Sequence, residues 1–260
     1  MSSTLEINNL NYKNIIKDLS LSTEKKQFIA VSGSNKCGKT TLIRMIGGQI
    51  KSNKSIKVLD KYLEDYNISD LSRKIRMVIP SDQRPFFFDT LEKELLFLKD
   101  NISNKEYLND IIKIFKLNKY LHNNPNDLDM NIKTKVYLAK ALLLEPQLLL
   151  IDDLNYYLEK EQTLELVKII KNITKTKNIT VIYTTDNLEE VIDCDYLYIL
   201  SSGTIILEGI PKDILQKDNV LNKLGLELPF MIDLSVKLRD YDLIQNIELD
   251  MDRMVDTLWK

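Results

Sequence analysis

The sequence predicts an α/β protein built on a mostly parallel sheet, and three observations carry that expectation. First, Phe28–Val31, Leu148–Ile151 and Ile179–Tyr183 are near-continuous apolar runs of strand length. Runs of this kind mark strands buried on both faces, as in a parallel sheet covered by helices, so the three are expected as neighbouring central strands. Second, the Phe28 run passes through a loop with two glycines, Gly33 to Thr40, straight into a helical pattern from Thr41 to Ile46. Strand, loop and helix in that order form the basic α/β unit. Third, between residues 82 and 145 apolar residues recur at helical spacing: Leu91, Leu95, Leu96 and Leu98, then Leu108, Ile111, Ile112 and Phe115, then Val136, Leu138, Ala139, Leu142 and Leu143. That stretch reads as an all-helical insertion between strands.

The remaining elements follow in chain order. Leu5–Ile7 and Leu19–Leu21 alternate like half-exposed strands, with Asn-rich turns between them, and predict an antiparallel N-terminal sheet. Tyr12 lies on this lead-in, where an aromatic ring either stacks on a flat ligand or packs on the strand face. Gly47-Gly48 ends the helix after the loop, and Ile56–Leu59 and Ile75–Ile79 read as strands, the second ended by Pro80. Phe86-Phe87-Phe88 opens the helical insertion as core or as part of a docking surface. A helix is expected over Glu161–Thr174, another near Leu188–Ile192, and strands at Tyr196–Leu200 and Thr204–Leu207 around a turn at Ser202-Gly203. From about Lys217 the tail is helical and amphipathic, with Leu221, Leu224, Leu234, Leu238, Val255 and Leu258 as anchors. The expected division is a main domain over residues 1–215, with its helical part at 82–145, and an appendage over 216–260.

Composition excludes several functions. The chain has 260 residues, 44% of them hydrophobic and 28% charged, which suits a folded protein with a soluble surface. A net charge of −2, with lysines interleaved among acids, gives no long-range attraction to nucleic acid or anionic lipid. Two cysteines make no disulfide framework, since Cys37 lies inside the glycine loop, and His122 sits alone in a polar stretch without other zinc ligands. No apolar run is long enough to span a bilayer, and MSSTLEINNLNY is not a signal peptide, so a cytosolic chain is expected, free to dock on a membrane partner.

The loop carries the chemistry. Gly33-Ser34-Asn35-Lys36-Cys37-Gly38-Lys39-Thr40 fits G-x-x-x-x-G-K-[ST] at every fixed position. Glycines let successive backbone N–H groups turn inward as an anion nest, and the following helix adds its positive end. Lys39 is expected to reach the β- and γ-phosphates of a nucleotide and the Thr40 hydroxyl to ligate Mg²⁺. Leu148-Leu149-Leu150-Ile151 then delivers Asp152 to the carboxyl edge of the sheet, where open α/β sheets bind ligands, as a second Mg²⁺ partner.

With these elements in order, the chain resembles the ATP-binding subunit of ATP-binding-cassette (ABC) transporters over roughly residues 4–215. LEINNLNY, the phosphate loop, the helical insertion, LLLIDD and the closing Gly203–Gly209 segment with Ile210-Pro211 sit where that family has them. Leu224-Gly-Leu-Glu-Leu-Pro-Phe230 in the tail is similar to the appendage of energy-coupling-factor ATPases, which drive uptake of vitamins or transition-metal ions. The resemblance implies a P-loop nucleotide-binding fold of the ABC type, ATP and Mg²⁺ as cofactors, and a peripheral place on the cytoplasmic face of the membrane. It also implies a second ABC ATPase as partner, in a heterodimer or a homodimer, with a transmembrane coupling subunit and a substrate-binding membrane subunit. Tyr12 would meet the adenine, and Thr41 adds to the loop's nucleotide-binding positions.

Several of the family's working positions are altered. The signature LSGGQ, whose backbone N–H groups and serine clamp the γ-phosphate held by the opposite subunit, falls on Leu128-Asp129-Met130-Asn131-Ile132. It lacks both glycines, and Asp129 would set a negative charge against phosphate. The general-base glutamate becomes Asp153, one C–C bond or about 1.5 Å shorter. The switch histidine falls on Thr185, which has no cationic form. The glutamine after the Arg76 strand falls on Pro80, with Gln83 as a substitute if the loop shifts, and the D-loop aspartate falls on Glu159. Lys36 replaces a glycine in the phosphate loop, at about 1 kcal/mol if that backbone needs positive φ. The expected function is therefore an importer subunit that binds ATP with weakened hydrolysis. The alternatives are a fully active transport ATPase, supported by Asp153 and Gln83, and a soluble ABC regulator or translation factor, whose tandem cassettes and basic segments this chain lacks.

Overall fold

The computed structural model describes residues 3–82, 84–98, 105–249 and 251–259. Two sheets form its framework. The N-terminal sheet is antiparallel, in the order β2-β1-β4-β5, with β1 at Ser3–Tyr12, β2 at Ile16–Glu24, β4 at Ile56–Val58 and β5 at Lys61–Tyr62. The larger sheet runs β10-β9-β3-β8-β7-β6, from β3 (Phe28–Ser32), β6 (Ile75–Val78), β7 (Leu148–Asp152), β8 (Thr180–Thr185), β9 (Tyr196–Ser201) and β10 (Thr204–Gly209). Its first five strands in chain order pair in parallel, and β10 folds back antiparallel on β9 through the Ser202-Gly203 turn. The three apolar runs are the neighbours β3, β8 and β7, as their composition predicts.

Strand alternation explains why those runs are apolar throughout. Phe28 and Ala30 of β3, Leu149 and Ile151 of β7, and Val181 and Tyr183 of β8 face one hydrophobic cluster. Ile29, Val31, Leu148, Leu150 and Ile182 face the other. The first cluster is shared with the helices that follow β6 and β7, and the second with the N-terminal sheet and helix α1 (Lys39–Ile46). Buried threonines stitch the sheets together, with the hydroxyls of Thr4 and Thr180 3.1 Å apart.

Between β6 and β7 lie α3 (Leu91–Leu96), α4 (Lys105–Ile114) and α5 (Met130–Leu143), with short 3₁₀ turns and, among the described residues, no strand. The short α2 (Ile68–Lys74) leads into β6, and α6 (Lys160–Lys177) joins β7 to β8. The helix expected near Leu188–Ile192 is instead a 3₁₀ turn over Leu188–Val191. The tail holds α7 (Pro211–Ile214), α8 (Asp218–Lys223), α9 (Phe230–Asp240) and α10 (Met251–Leu258), and Leu215, Leu221, Leu226, Ile232 and Val236 pack into the first cluster. Four of the expected tail anchors require correction: Leu234 and Leu238 are only half-buried on α9, where Ile232 and Val236 are the buried apolar residues. Val255 and Leu258 lie on the exposed face of α10, and Met254 is its buried residue.

The Phe86–Phe88 segment divides its roles. Phe86 is buried and stacks on Tyr137 at 4.9 Å, while Phe87 is 86% exposed. Distant polar side chains fix this segment. Asn126 bonds both the N–H and the carbonyl of Phe86 (2.9 and 3.0 Å), and Glu94 Oε2 accepts from the N–H groups of Phe87 and Phe88 (2.8 and 3.0 Å). Lys140 pairs with the other oxygen of the buried Glu94.

Candidate nucleotide-binding site

Parallel pairing collects the site at one edge of the larger sheet. Ser32 stands in register with Thr185, and Asp152 with Thr184, so the phosphate loop after β3 and the acids after β7 emerge at the same level on either side of β8. The loop from Gly33 to Gly38 then turns into α1. Gly38 is the N-cap of α1 at φ 116°, a backbone that L side chains rarely adopt, and it makes no side-chain cap. The first N–H groups of α1 therefore remain open to an anion. Lys36 sits at φ 66°, so the strain expected of a non-glycine residue there is present, at about 1 kcal/mol. Lys39 is buried, and its ammonium donates to the carbonyls of Gly33 (2.5 Å) and Ser34 (3.2 Å), curling the loop around its own cation. Thr40 is exposed on the first turn of α1, beside the half-buried Thr41, and Asn35 is exposed at the loop tip. Cys37 is buried, and burial raises its thiol above the ordinary range, so it acts as packing rather than as a nucleophile.

The acids occupy distinct environments. Asp152 is 3% exposed, and its Oδ1 accepts from the buried hydroxyl of Thr184 on the neighbouring strand. Asp153 follows in the left-handed region (φ 49°), with its N–H held by the Thr184 carbonyl at 3.0 Å. Burial, then the charges of Asp186 and Asp152, push its carboxyl up to about 7, against the pull of Lys39. Its Oδ1 is buried without a hydrogen-bond partner. An orphaned carboxylate oxygen under the charges of Asp152 and Asp186 is a hard-oxygen environment suited to a divalent cation that keeps water and phosphate ligands. No cluster of three or more His, Cys, Asp or Glu side chains placed to hold a metal ion occurs among the described residues.

Thr185 is fully buried and is drawn into a network behind the edge. Its hydroxyl accepts from Asn187 N–H at 3.0 Å, Tyr183 donates to Glu190, and Asn187 Nδ2 donates to Glu190 at 3.1 Å. Burial raises the Glu190 carboxyl, opposed by hydrogen bonds from Tyr183, Thr185 and Asn187. Sequence reading singled out none of Tyr183, Thr184, Asn187 or Glu190. Their roles depend on strand register, for which the local sequence carries no signal.

The signature segment lies apart from this edge, at the start of α5. Asp129 is the N-cap of that helix, with its carboxylate accepting from Ile132 N–H at 2.9 Å. Leu128 and Met130 are half-buried, Ile132 is buried, and Asn131 Oδ1 is buried without a partner. Tyr12 ends β1, is half-buried against the second cluster and carries Lys13 over its ring at 5.2 Å. Gln83 lies outside the described residues. Glu159 begins α6, and its N–H donates to the Gln162 side chain at 3.3 Å.

This arrangement, an open phosphate loop beside a carboxyl-edge acid pair, can be set against known proteins. Over residues 16–155, more than half of its length, the sequence matches the ABC transporter family. The chain belongs to that family. Its relatives within the ABC transporter family include an energy-coupling factor transporter ATP-binding protein of Ligilactobacillus salivarius, 31% identical over 87% of this chain and 84% of the relative. Another, from Enterococcus faecium, is 28% identical over 100% of this chain and 98% of its own. Among solved structures, cbiO1 of Clostridium perfringens, part of the ABC transporter complex cbiONQ, shares the fold at a TM-score of 0.73 and 24% identity, covering 88% of this chain and 97% of that one. A dimeric ATP-binding cassette bound to ADP and phosphate shares it at 0.68 and 19% identity, covering 80% and 98%. Family membership makes ATP the expected nucleotide at this edge. No helix among the described residues is long and apolar enough to cross a membrane.

Proposed function

We propose that the chain is an ATP-binding subunit of an energy-coupling-factor importer for vitamins or transition-metal ions, working on the cytoplasmic face of the membrane with weakened hydrolysis. The observation that carries the reading is the uncapped N-terminus of α1, with Lys39 curled beneath the loop and Asp152 at the same edge across β8. An incoming triphosphate offers Lys39 stronger acceptors than the carbonyls of Gly33 and Ser34, and charge-assisted bonds of this kind are about twice as strong as neutral ones. Thr40 and Asp152 provide oxygen donors for Mg²⁺, which neutralises phosphate charge when bound. Asp153 supplies the general base, poised near neutrality by burial and neighbouring acids. Thr185 is tied into the Tyr183–Glu190 network and is too short to reach the phosphate, which supports slow turnover at this site.

Partner choice follows from the same features. A face-to-face ATPase dimer places the start of one subunit's α5 against the nucleotide of the other. Here Asp129 puts a carboxylate at that start, which supports an intact second ATPase as partner over a homodimer that would carry the defect twice. Phe87, held at its N–H by Glu94, and Phe97, whose ring packs on Phe88, are exposed on the helical part and supply apolar anchors for a transmembrane coupling subunit. The test is purification of the chain with its membrane neighbours, followed by ATP binding and hydrolysis on the intact assembly. Recovery of the chain with a second ATPase and membrane subunits, and ATP binding with little turnover by the chain alone, is the expected result. Brisk turnover by the pure chain, abolished by Asp153→Asn, would instead support a fully active ATPase.

A further inference from the structure

We propose that Thr184 is a positioning residue that fixes how Asp152 meets a divalent cation. This rests on the nucleotide-site reading above and adds to it a residue that neither the phosphate-loop pattern nor the LLLIDD run contains. Asp152 is 3% exposed and Thr184 0%, so their hydrogen bond forms away from bulk water. Register puts the two side by side, Asp152 on β7 opposite Thr184 on β8. In that pair the hydroxyl donates and Oδ1 accepts, which turns the carboxylate about its Cβ–Cγ bond into one orientation and leaves Oδ2 as the oxygen presented to a cation.

The same threonine also holds the next acid. Its carbonyl accepts from Asp153 N–H at 3.0 Å, at the point where the chain turns into the left-handed region. One residue of the neighbouring strand thus sets the side-chain angle of the first acid and the backbone direction of the second. Outer-shell partners of metal-binding carboxylates act this way, and their loss typically weakens metal affinity about 10–100-fold. Loss of the hydroxyl would free Asp152 to rotate and would leave a buried carboxylate oxygen without a donor.

The experiment measures binding of a fluorescent, non-hydrolysable ATP analogue to the full chain, once with excess Mg²⁺ and once with EDTA. Thr184→Val keeps the shape and removes the donor, and Thr184→Ser keeps the donor. The expected result is that Thr184→Val binds the analogue in EDTA within about twofold of wild type but needs about tenfold more Mg²⁺ to reach the wild-type gain in affinity. Thr184→Ser should stay within about twofold in both conditions, and in an Asp152→Asn background Thr184→Val should change nothing further. A purely structural role would lower affinity equally with and without Mg²⁺, and that outcome overturns the proposal, as does an unchanged Mg²⁺ requirement. If the valine variant does not fold, Thr184→Cys, similar in size with a weaker donor, carries the same comparison. A wild type that gains affinity from Mg²⁺ while the variants match it refutes only the role of Thr184. A wild type that does not bind the analogue refutes the site reading and this inference together.

Discussion

Two helix beginnings in this molecule are built in opposite ways. Helix α1 starts at Gly38, which offers no side chain to cap its first N–H groups. Helix α5 starts at Asp129, whose own carboxylate occupies the Ile132 N–H and places a negative charge at the helix's positive end. A bare helix N-terminus attracts anions, whereas one already neutralised by an internal carboxylate resists them. On the proposed reading, the contrast separates a helix start fit to hold a nucleotide from one that is self-capped where a partner's nucleotide would need clamping.

The strongest way to break the contrast is to open the second helix. In a heterodimer with an intact ATPase, rewriting Leu128–Ile132 as LSGGQ should raise turnover on the order of a hundredfold, because backbone donors are restored around a phosphate already served by the partner's full catalytic set. Asp153→Glu alone should do less, since Thr185 remains buried in its network. Steady-state hydrolysis by the reconstituted pair decides this; a response to Asp153→Glu and none to the rewrite would make this chain's own site the working one.

Closing the first helix should come next in size. Lys39→Ala removes a charge-assisted contact worth about 1.5–3 kcal/mol, or tenfold or more in ATP affinity, and titration calorimetry on the isolated chain measures it. Unchanged affinity would mean that the loop is not in use. A smaller effect concerns Asp153 in the chain free of nucleotide and divalent cation. Its folded-state carboxyl titrates at about 7, above the unfolded value, so the fold holds a proton that the unfolded chain releases. The stabilisation is therefore complete below the ordinary aspartate range and is lost as pH rises through about 7. Asp153→Asn should flatten that decline and raise the melting temperature at pH 8 by about 2–4 °C in EDTA, with little change at pH 5.

The parts legible in the sequence were those fixed by local chemistry. Phe28–Val31, Leu148–Ile151 and Ile179–Tyr183 had to be central because apolar side chains at both odd and even positions need cover on both faces, and they are neighbours in the sheet. The phosphate loop was legible because its glycines, Lys39 and Thr40 answer to backbone geometry within eight residues. What stayed hidden depends on distant partners. Phe86, Phe87 and Phe88 are identical in sequence, and Asn126 and Glu94 decide which ring is buried. Thr184 and Thr185 are adjacent and alike, yet register points the first hydroxyl at Asp152 and draws the second toward Asn187. Val255 and Leu258 have the spacing of anchors, but periodicity alone does not say which apolar face finds a neighbour. The Leu188 turn is too short for periodicity to separate a 3₁₀ from an α-helix.

The Ser202-Gly203 turn lies outside the loop motif, yet it is sewn to the phosphate loop. Gly203 N–H donates to the Cys37 carbonyl at 3.0 Å, and its own carbonyl accepts from Lys17 N–H at 2.9 Å. A side chain on Gly203 would strike the Ile15 carbonyl, so the three turns meet with no slack. The shape of the loop is therefore set when the β9–β10 hairpin and the N-terminal sheet dock, and the ordering entropy is settled during folding rather than at association. The length of the Ser202-Gly203 turn itself thus becomes a hereditary constraint. An extra residue in that hairpin, far from any phosphate, would loosen the cradle as surely as a change inside it, so length variation should gather in other surface turns and avoid this one.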